Sequence, residues 1–121
     1  MSKRILVVED QEDNRQILRD LLGNAGYELI EAVDGEQALA AYAKQRPDLI
    51  LMDIQLPVLD GYETTRRIRT DPESKGIPII AVTSYALAGD EAKALAAGCD
   101  GYITKPYSPR ALLAKVKGYL V

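Results

Sequence analysis

Hydrophobic positions recur along this chain in two different rhythms. Ile5-Leu6-Val7-Val8, Leu49-Ile50-Leu51-Met52 and Ile79-Ile80-Ala81-Val82 are unbroken apolar runs too short for helices, and they read as strands buried on both faces. Residues 27–32 and Tyr102-Ile103 are more mixed and read as two further strands. Between them the period changes to 3.6. In residues 13–25, Ile17, Leu18, Leu21, Leu22 and Ala25 fall on one helical face, closed by Gly26. Residues 35–46 place Ala38, Leu39 and Tyr42 on a face and stop at Pro47. Residues 60–70 predict a helix with a weaker apolar face. Residues 71–76 read as a loop in which Pro72 bars further helix. Residues 87–97 are an Ala-rich helix ending at Gly98. Residues 110–120 carry Leu112, Leu113, Val116, Tyr119 and Leu120 at helical spacing.

Regular alternation of strand and helix predicts an α/β protein, a parallel sheet with helices on both faces. The wholly apolar first, third and fourth strands belong in the centre, and the more polar second and fifth at the edges. That is the flavodoxin-like (βα)5 three-layer sandwich, five strands in the order 2-1-3-4-5. No linker, repeat or low-complexity stretch interrupts it, and the chain ends with its last helix. One domain over residues 1–121 is expected, with no output domain.

In such sheets ligands sit beyond the carboxyl ends of the strands, where strand order reverses. Those ends hold Glu9 and Asp10, then Asp53, Thr83 and Lys105. Strands one and three are neighbours ~4.8 Å apart, so Asp10, Asp53 and Glu9 share one small volume and repel unless a cation neutralises them. Hard oxygen donors without His or a nearby Cys suit Mg2+. Lys105 starts about 10 Å from Asp53, a gap its stem can span. Thr83 lies between and could offer a hydroxyl. Two cations and a hydroxyl around an acidic pocket suit a phosphoryl group, and an aspartate can carry one. The residue types alone do not choose Asp53 over Asp10 for that role. Each group taken singly has a plainer explanation: Glu9, Asp10, Glu12 and Asp13 as acids capping the next helix, Asp53 in a turn, Thr83 ending a strand, Lys105 in solvent, Tyr102 in the core. Their co-location at one sheet edge weighs against those.

Composition narrows the chemistry. The 121 residues contain no His, Trp or Phe. That excludes a Ser-His-Asp triad, an imidazole base, a histidine-ligated zinc and a phosphohistidine on this chain. Fifteen basic residues against eighteen acidic ones give a net charge of −3, which argues against direct DNA binding. The single Cys99 cannot form an internal disulfide and reads as a small buried hydrophobe. Met1-Ser2-Lys3-Arg4 leads into only four apolar residues, too few for a signal peptide or membrane segment, so a cytoplasmic monomer is expected.

Four fragments, in order, resemble the receiver domain of bacterial response regulators. They are Val7-Val8-Glu9-Asp10, Leu51-Met52-Asp53-Ile54-Gln55-Leu56-Pro57 with Gly61, Val82-Thr83-Ser84, and Lys105-Pro106. The resemblance covers essentially the whole chain. With Ala81-Val82-Thr83-Ser84-Tyr85-Ala86 and Ala88-Gly89-Asp90-Glu91, it is most similar to stand-alone regulators of the DivK type. The resemblance implies that Asp53 accepts a phosphoryl group from a phosphohistidine on a sensor histidine kinase or histidine phosphotransferase. It implies Mg2+ ligated by Asp10, Asp53 and the Gln55 backbone carbonyl, with Glu9 reaching it through water. Thr83 and Lys105 would bind phosphoryl oxygens, and Pro106 would follow a cis peptide. The output it implies is a switch rather than an enzyme's turnover: Thr83 moves inward, Tyr102 follows, and the face of helix 4, strand 5 and helix 5 is reshaped for a downstream protein. Leu87, Ala88 and Tyr107 are candidates for that surface. Gln55 and Tyr85, bulky and two residues beyond Asp53 and Thr83, imply slow self-dephosphorylation.

Receivers of hybrid histidine kinases carry similar fragments, so a detached module of that kind is an alternative. A Mg2+-dependent phosphatase of the haloacid-dehalogenase type needs a second acid where Gln55 stands, and a cap domain. A flavodoxin would need a hydroxyl- and glycine-rich phosphate loop where Glu9-Asp10-Gln11-Glu12-Asp13 stands. A degenerate receiver would lack the acids and Lys105, all of which are present.

Overall fold

The computed structural model describes residues 3–84 and 89–120. Its elements in chain order are β1 (Arg4–Val8), α1 (Glu12–Asn24), β2 (Glu28–Ala32), α2 (Gly35–Lys44), β3 (Leu49–Asp53), α3 (Gly61–Arg69), β4 (Ile79–Thr83), α4 (Asp90–Ala97), β5 (Gly101–Thr104) and α5 (Pro109–Tyr119). All four strand pairings are parallel, and the order is β2-β1-β3-β4-β5. The expected α/β sandwich is what the chain forms.

The apolar runs explain the layering. Successive side chains of a strand point to opposite faces, so Leu6, Val8, Ile50, Met52, Ile79 and Ala81 fill one core with α2, α3 and α4. Ile5, Val7, Leu49, Leu51 and Ile80 fill the other with Leu18 and Leu22 of α1 and Leu112 and Val116 of α5. Burying each large apolar side chain contributes roughly 1.5–3 kcal/mol, so the apolar positions of β1, β3 and β4 favour this central placement. Helix entries are written in the sequence as well. Asp34, Asp60 and Ser108 accept hydrogen bonds from the amides of Gln37, Glu63 and Ala111, satisfying donors that the helix itself leaves open.

Three local expectations change. Glu12 and Asp13 lie in the first turn of α1 but do not cap it; the N-cap is Gln11, with no side-chain hydrogen bond. Ile17, expected on the buried face, is 51% exposed, because the sheet touches only a narrow stripe of α1 through Leu18 and Leu22. Pro72 does not bar helix. It begins a 3-10 turn over Pro72–Gly76, where the first turn needs no amide from it. The fourth helix is described from Asp90; Tyr85, Leu87 and Ala88 lie outside the described residues.

The β3–α3 connection holds the one positive-φ non-glycine among the described residues: Val58, φ 69°, 75% exposed. A β-branched residue is strained there and gains nothing from packing. Val58→Asn is therefore expected to raise stability by about 1 kcal/mol in urea unfolding. An unchanged or lower midpoint would show that the loop carries no such strain.

Candidate functional site

Register brings the chemistry-bearing residues to one edge. β3 ends at Asp53, opposite Val82 of β4, and Thr83 is opposite Thr104 of β5. β1 pairs with β3 up to Val8 opposite Met52, so Glu9 and Asp10 leave the sheet beside Asp53. Glu9, Asp53 and Thr83 are all buried. One carboxylate oxygen each from Glu9, Asp10 and Asp53 lie within 4.8 Å of one another. The stem of Lys105 folds back over them as the strand spacing allowed: Nζ donates to Glu9 Oε1 at 2.7 Å and to Asp53 Oδ2 at 3.2 Å.

The backbone completes the cradle. Asp53 Oδ1 accepts from the Gln55 amide at 3.0 Å, and Glu9 Oε2 accepts from the Gln11 amide at 3.0 Å. Lys105 is held at its root, since its own amide donates to the Thr83 carbonyl at 2.7 Å; the Lys105–Pro106 peptide that follows is cis. Gly61 opens α3 directly against the acidic turn. A Cβ there would fall on the Asp53 carbonyl oxygen and 2.7 Å from Ile54 Cα, so only glycine lets α3 approach this closely.

Two buried carboxylates and one lysine cannot all be content as charges. Burial first, then the neighbouring Glu9 charge, push Asp53 up to about 6, against the pull of Lys105 and the Gln55 amide. Burial also pushes Glu9 up, but the Lys105 hydrogen bond and the Gln11 amide outweigh it and hold it below its usual value. Lys105 goes the opposite way to a lone buried amine. Its desolvation is outweighed by Glu9 and Asp53, and its affinity for a proton rises. The two acids are pushed in opposite directions, Glu9 toward keeping its charge and Asp53 toward holding a proton.

Several contacts around the site carry no signal in the sequence, among them the carboxamide bonds of Gln55 and the reach of Arg15. The Gln55 carboxamide donates through Nε2 to Thr83 Oγ1 at 2.6 Å and accepts from the Ser84 amide at 3.2 Å. Arg15 of α1 donates to the Glu9 carbonyl at 2.9 Å, tying the turn that carries Asp10 to the helix after it. Tyr107, a candidate for the face of α4, β5 and α5, packs on the core beneath α1 and α5 and lines a groove with Asn14 and Ile17. A long polar side chain has no period to betray it; only the fold shows where it reaches. Tyr102 is half-buried against the α2–α4 core, opposite Ala81 and two residues before the Thr83 level.

The donor set fits Mg2+. Three convergent carboxylates, with no Cys or His among them, form a hard oxygen site whose mutual repulsion an ion would relieve.

Residues 5–117 match the response regulator receiver domain. The chain is 45% identical over 120 residues to the polar-differentiation response regulator DivK of Brucella anthropi, covering 99% of this chain and 98% of that protein. The DivK of Brucella ovis is 44% identical over the same length. Chemotaxis protein CheY4 of Vibrio cholerae superposes with a TM-score of 0.93 at 32% identity, over 98% of this chain and 99% of that one. The receiver domain of a Pseudomonas aeruginosa sensor histidine kinase, solved with a magnesium ion coordinated in its active site cleft, superposes with a TM-score of 0.91 at 39% identity. That match covers 99% of this chain and 98% of the other. Together with the sheet order and the acidic edge, these likenesses place the chain in the response regulator receiver domain family of two-component systems.

Proposed function

We propose that this receiver takes a phosphoryl group onto Asp53 from a phosphohistidine of a sensor histidine kinase or histidine phosphotransferase, and acts as a switch rather than an enzyme. The observation that carries this is the Asp53 carboxylate itself. It is buried at the strand end, beside two further acids, with the Lys105 ammonium 3.2 Å away. At neutral pH a group titrating near 6 is largely ionised yet still basic, which suits a nucleophile. One Asp53 oxygen forms the O–P bond as the P–N bond to the donor imidazole breaks, and the imidazole leaves with the electron pair.

Asp10, Asp53 and the Gln55 main-chain carbonyl would hold Mg2+, with Glu9 reaching it through water. When bound, the ion offsets the negative charge gathered on the transferring group. Lys105 and the Thr83 hydroxyl bind the phosphoryl oxygens. Thr83 then moves toward the new group, Tyr102 occupies the space it leaves, and the surface of α4, β5 and α5 changes for a downstream protein. Gln55 slows loss of the group by shielding it. Pro106 sets the turn that aims Lys105.

A stand-alone, cytoplasmic, monomeric regulator without direct DNA contact is favoured by the DivK likeness, whose own length this chain covers to 98%, and by the net charge of −3. Among the described residues no helix is long and apolar enough to cross a membrane. A detached module of a hybrid kinase is the second reading, favoured by the 39% identity to the sensor-kinase receiver. Intact-mass measurement with Mg2+ and acetyl phosphate tests the assignment. A single phosphoryl adduct is expected on the wild type and none on Asp53→Asn. An adduct that survives the substitution, or no adduct at all, would sink it.

A further inference from the structure

Gln55 has a use that neither a main-chain metal ligand nor a shield explains. β3 ends at Asp53 opposite Val82, and the Ile54 amide still donates to the Val82 carbonyl at 3.0 Å. Continued by two residues, that register sets Gln55 against Ser84, past the last strand residue, Thr83. There its carboxamide makes two bonds with opposite ends: Nε2 to Thr83 Oγ1 at 2.6 Å, and the Ser84 amide to Oε1 at 3.2 Å. At the same time the Gln55 amide donates to Asp53 Oδ1 at 3.0 Å. One residue is thus bonded to the acceptor carboxylate through its main chain and to the Thr83 hydroxyl through its side chain.

We propose that the Gln55 carboxamide is a positioning residue, a latch that holds the Thr83 hydroxyl and the Ser84 backbone in the resting arrangement until a phosphoryl group draws Thr83 away. The proposal rests on Asp53 being the phosphoacceptor. A carboxamide suits the task because it offers a donor for the hydroxyl oxygen and an acceptor for the amide at once, which neither Glu nor Leu can do. Thr83 is buried, so a bond to its oxygen there is stronger than the same bond in water. A phosphoryl oxygen would accept from the Thr83 O–H, a capacity the Gln55 bond does not use, so Gln55 opposes the switch by tethering the Thr83 oxygen, and displacement toward the phosphoryl group breaks that bond. The Gln55 bond therefore biases the equilibrium toward rest by the strength of a neutral hydrogen bond, a factor of roughly 2 to 12. Shielding works differently: it slows attack by water whether or not Thr83 has a hydroxyl.

A double-mutant cycle separates the two, with the phosphoryl mimic beryllofluoride in Mg2+ as the probe. Gln55→Ala is expected to tighten beryllofluoride binding roughly three- to tenfold when Thr83 is present, and to leave it unchanged when Thr83→Ala is also present. Mg2+ affinity should not move, since Ala keeps the main-chain carbonyl. An equal effect in both backgrounds, or none with Thr83 present, would overturn the latch. If the wild type itself binds no beryllofluoride, the phosphoacceptor assignment has failed, and the latch is decided without any phosphoryl group. In Mg2+-free protein, Gln55→Ala must then shift the Thr83 and Ser84 amide resonances while those of β1 and β2 stay in place. Resonances of Thr83 and Ser84 identical to wild type would overturn it.

Discussion

Asp53→Asn is expected to make the metal-free protein more stable, by about 3 kcal/mol at pH 8, even as it removes the proposed phosphoacceptor. Asp53 is 4% exposed and titrates near 6, against 3.8 for the group in ordinary surroundings. An acid whose value is raised by folding binds its proton more tightly in the folded chain than in the unfolded one. Its ionisation therefore weakens the fold. The penalty is full above pH 6, shrinks as pH falls from 6 toward 3.8, and is gone below that, at ~1.4 kcal/mol per unit of displacement. Asparagine keeps the shape without the charge. Urea unfolding in EDTA at several pH values should show a gap that is largest at pH 8, about half as large near pH 5 and nearly absent by about pH 3. A substitution that is neutral or destabilising at pH 8 would mean that Asp53 carries no such burden. Added Mg2+ should narrow the gap by stabilising the wild type, by about 2.7 kcal/mol at a hundred times its dissociation constant.

Lys105→Met should do the reverse. It keeps the stem and removes the ammonium that touches Glu9 at 2.7 Å and Asp53 at 3.2 Å. Glu9 is then a buried charge without a cation, and Asp53 loses its only strong counterweight besides the Gln55 amide. Breaking a buried pair from one side costs about 3–5 kcal/mol, far more than the pair contributes when intact. The loss should be greatest at pH 8 in EDTA and smaller at pH 5, where the carboxyls can escape by taking protons. It should be partly recovered by Mg2+, and partly by adding Asp53→Asn. The phosphoryl adduct should also form about a hundredfold more slowly, because a charge stabilising the transferring group is gone. A drop below about 1 kcal/mol in EDTA at pH 8 would show that the ammonium does not hold the two acids together.

These two variants bear on how far the sequence could be read. Glu9, Asp10, Asp53, Thr83 and Lys105 could be placed at one sheet edge because three apolar runs of β1, β3 and β4 fix which strands are central. A parallel strand delivers its last residue to the same edge as its neighbours. The order of helices and strands was equally legible. Ile17 was misread because helical period tells which residues share a face, not how wide a stripe the sheet will cover. Pro72 was misread because proline forbids a helix interior but favours a helix start. Tyr107 and Gln55 were singled out, but not the core the one packs on or the bonds the other's carboxamide makes. Their positions depend on where a connection turns and how far a side chain reaches across it.

Taken alone, then, the order of residues determined the sandwich, the strand order and the set of groups at its acidic edge. These follow from burial and from the pleat, which act on every residue of a segment alike. The motif fragments determined the family. Tertiary structure decided the individual bonds: which carboxylate Lys105 grips more closely, that Glu9 keeps the charge while Asp53 is pushed toward neutrality, and that Gln55 holds Thr83. Each of those depends on a few tenths of an ångström and on local dielectric, quantities that no spacing along the chain encodes.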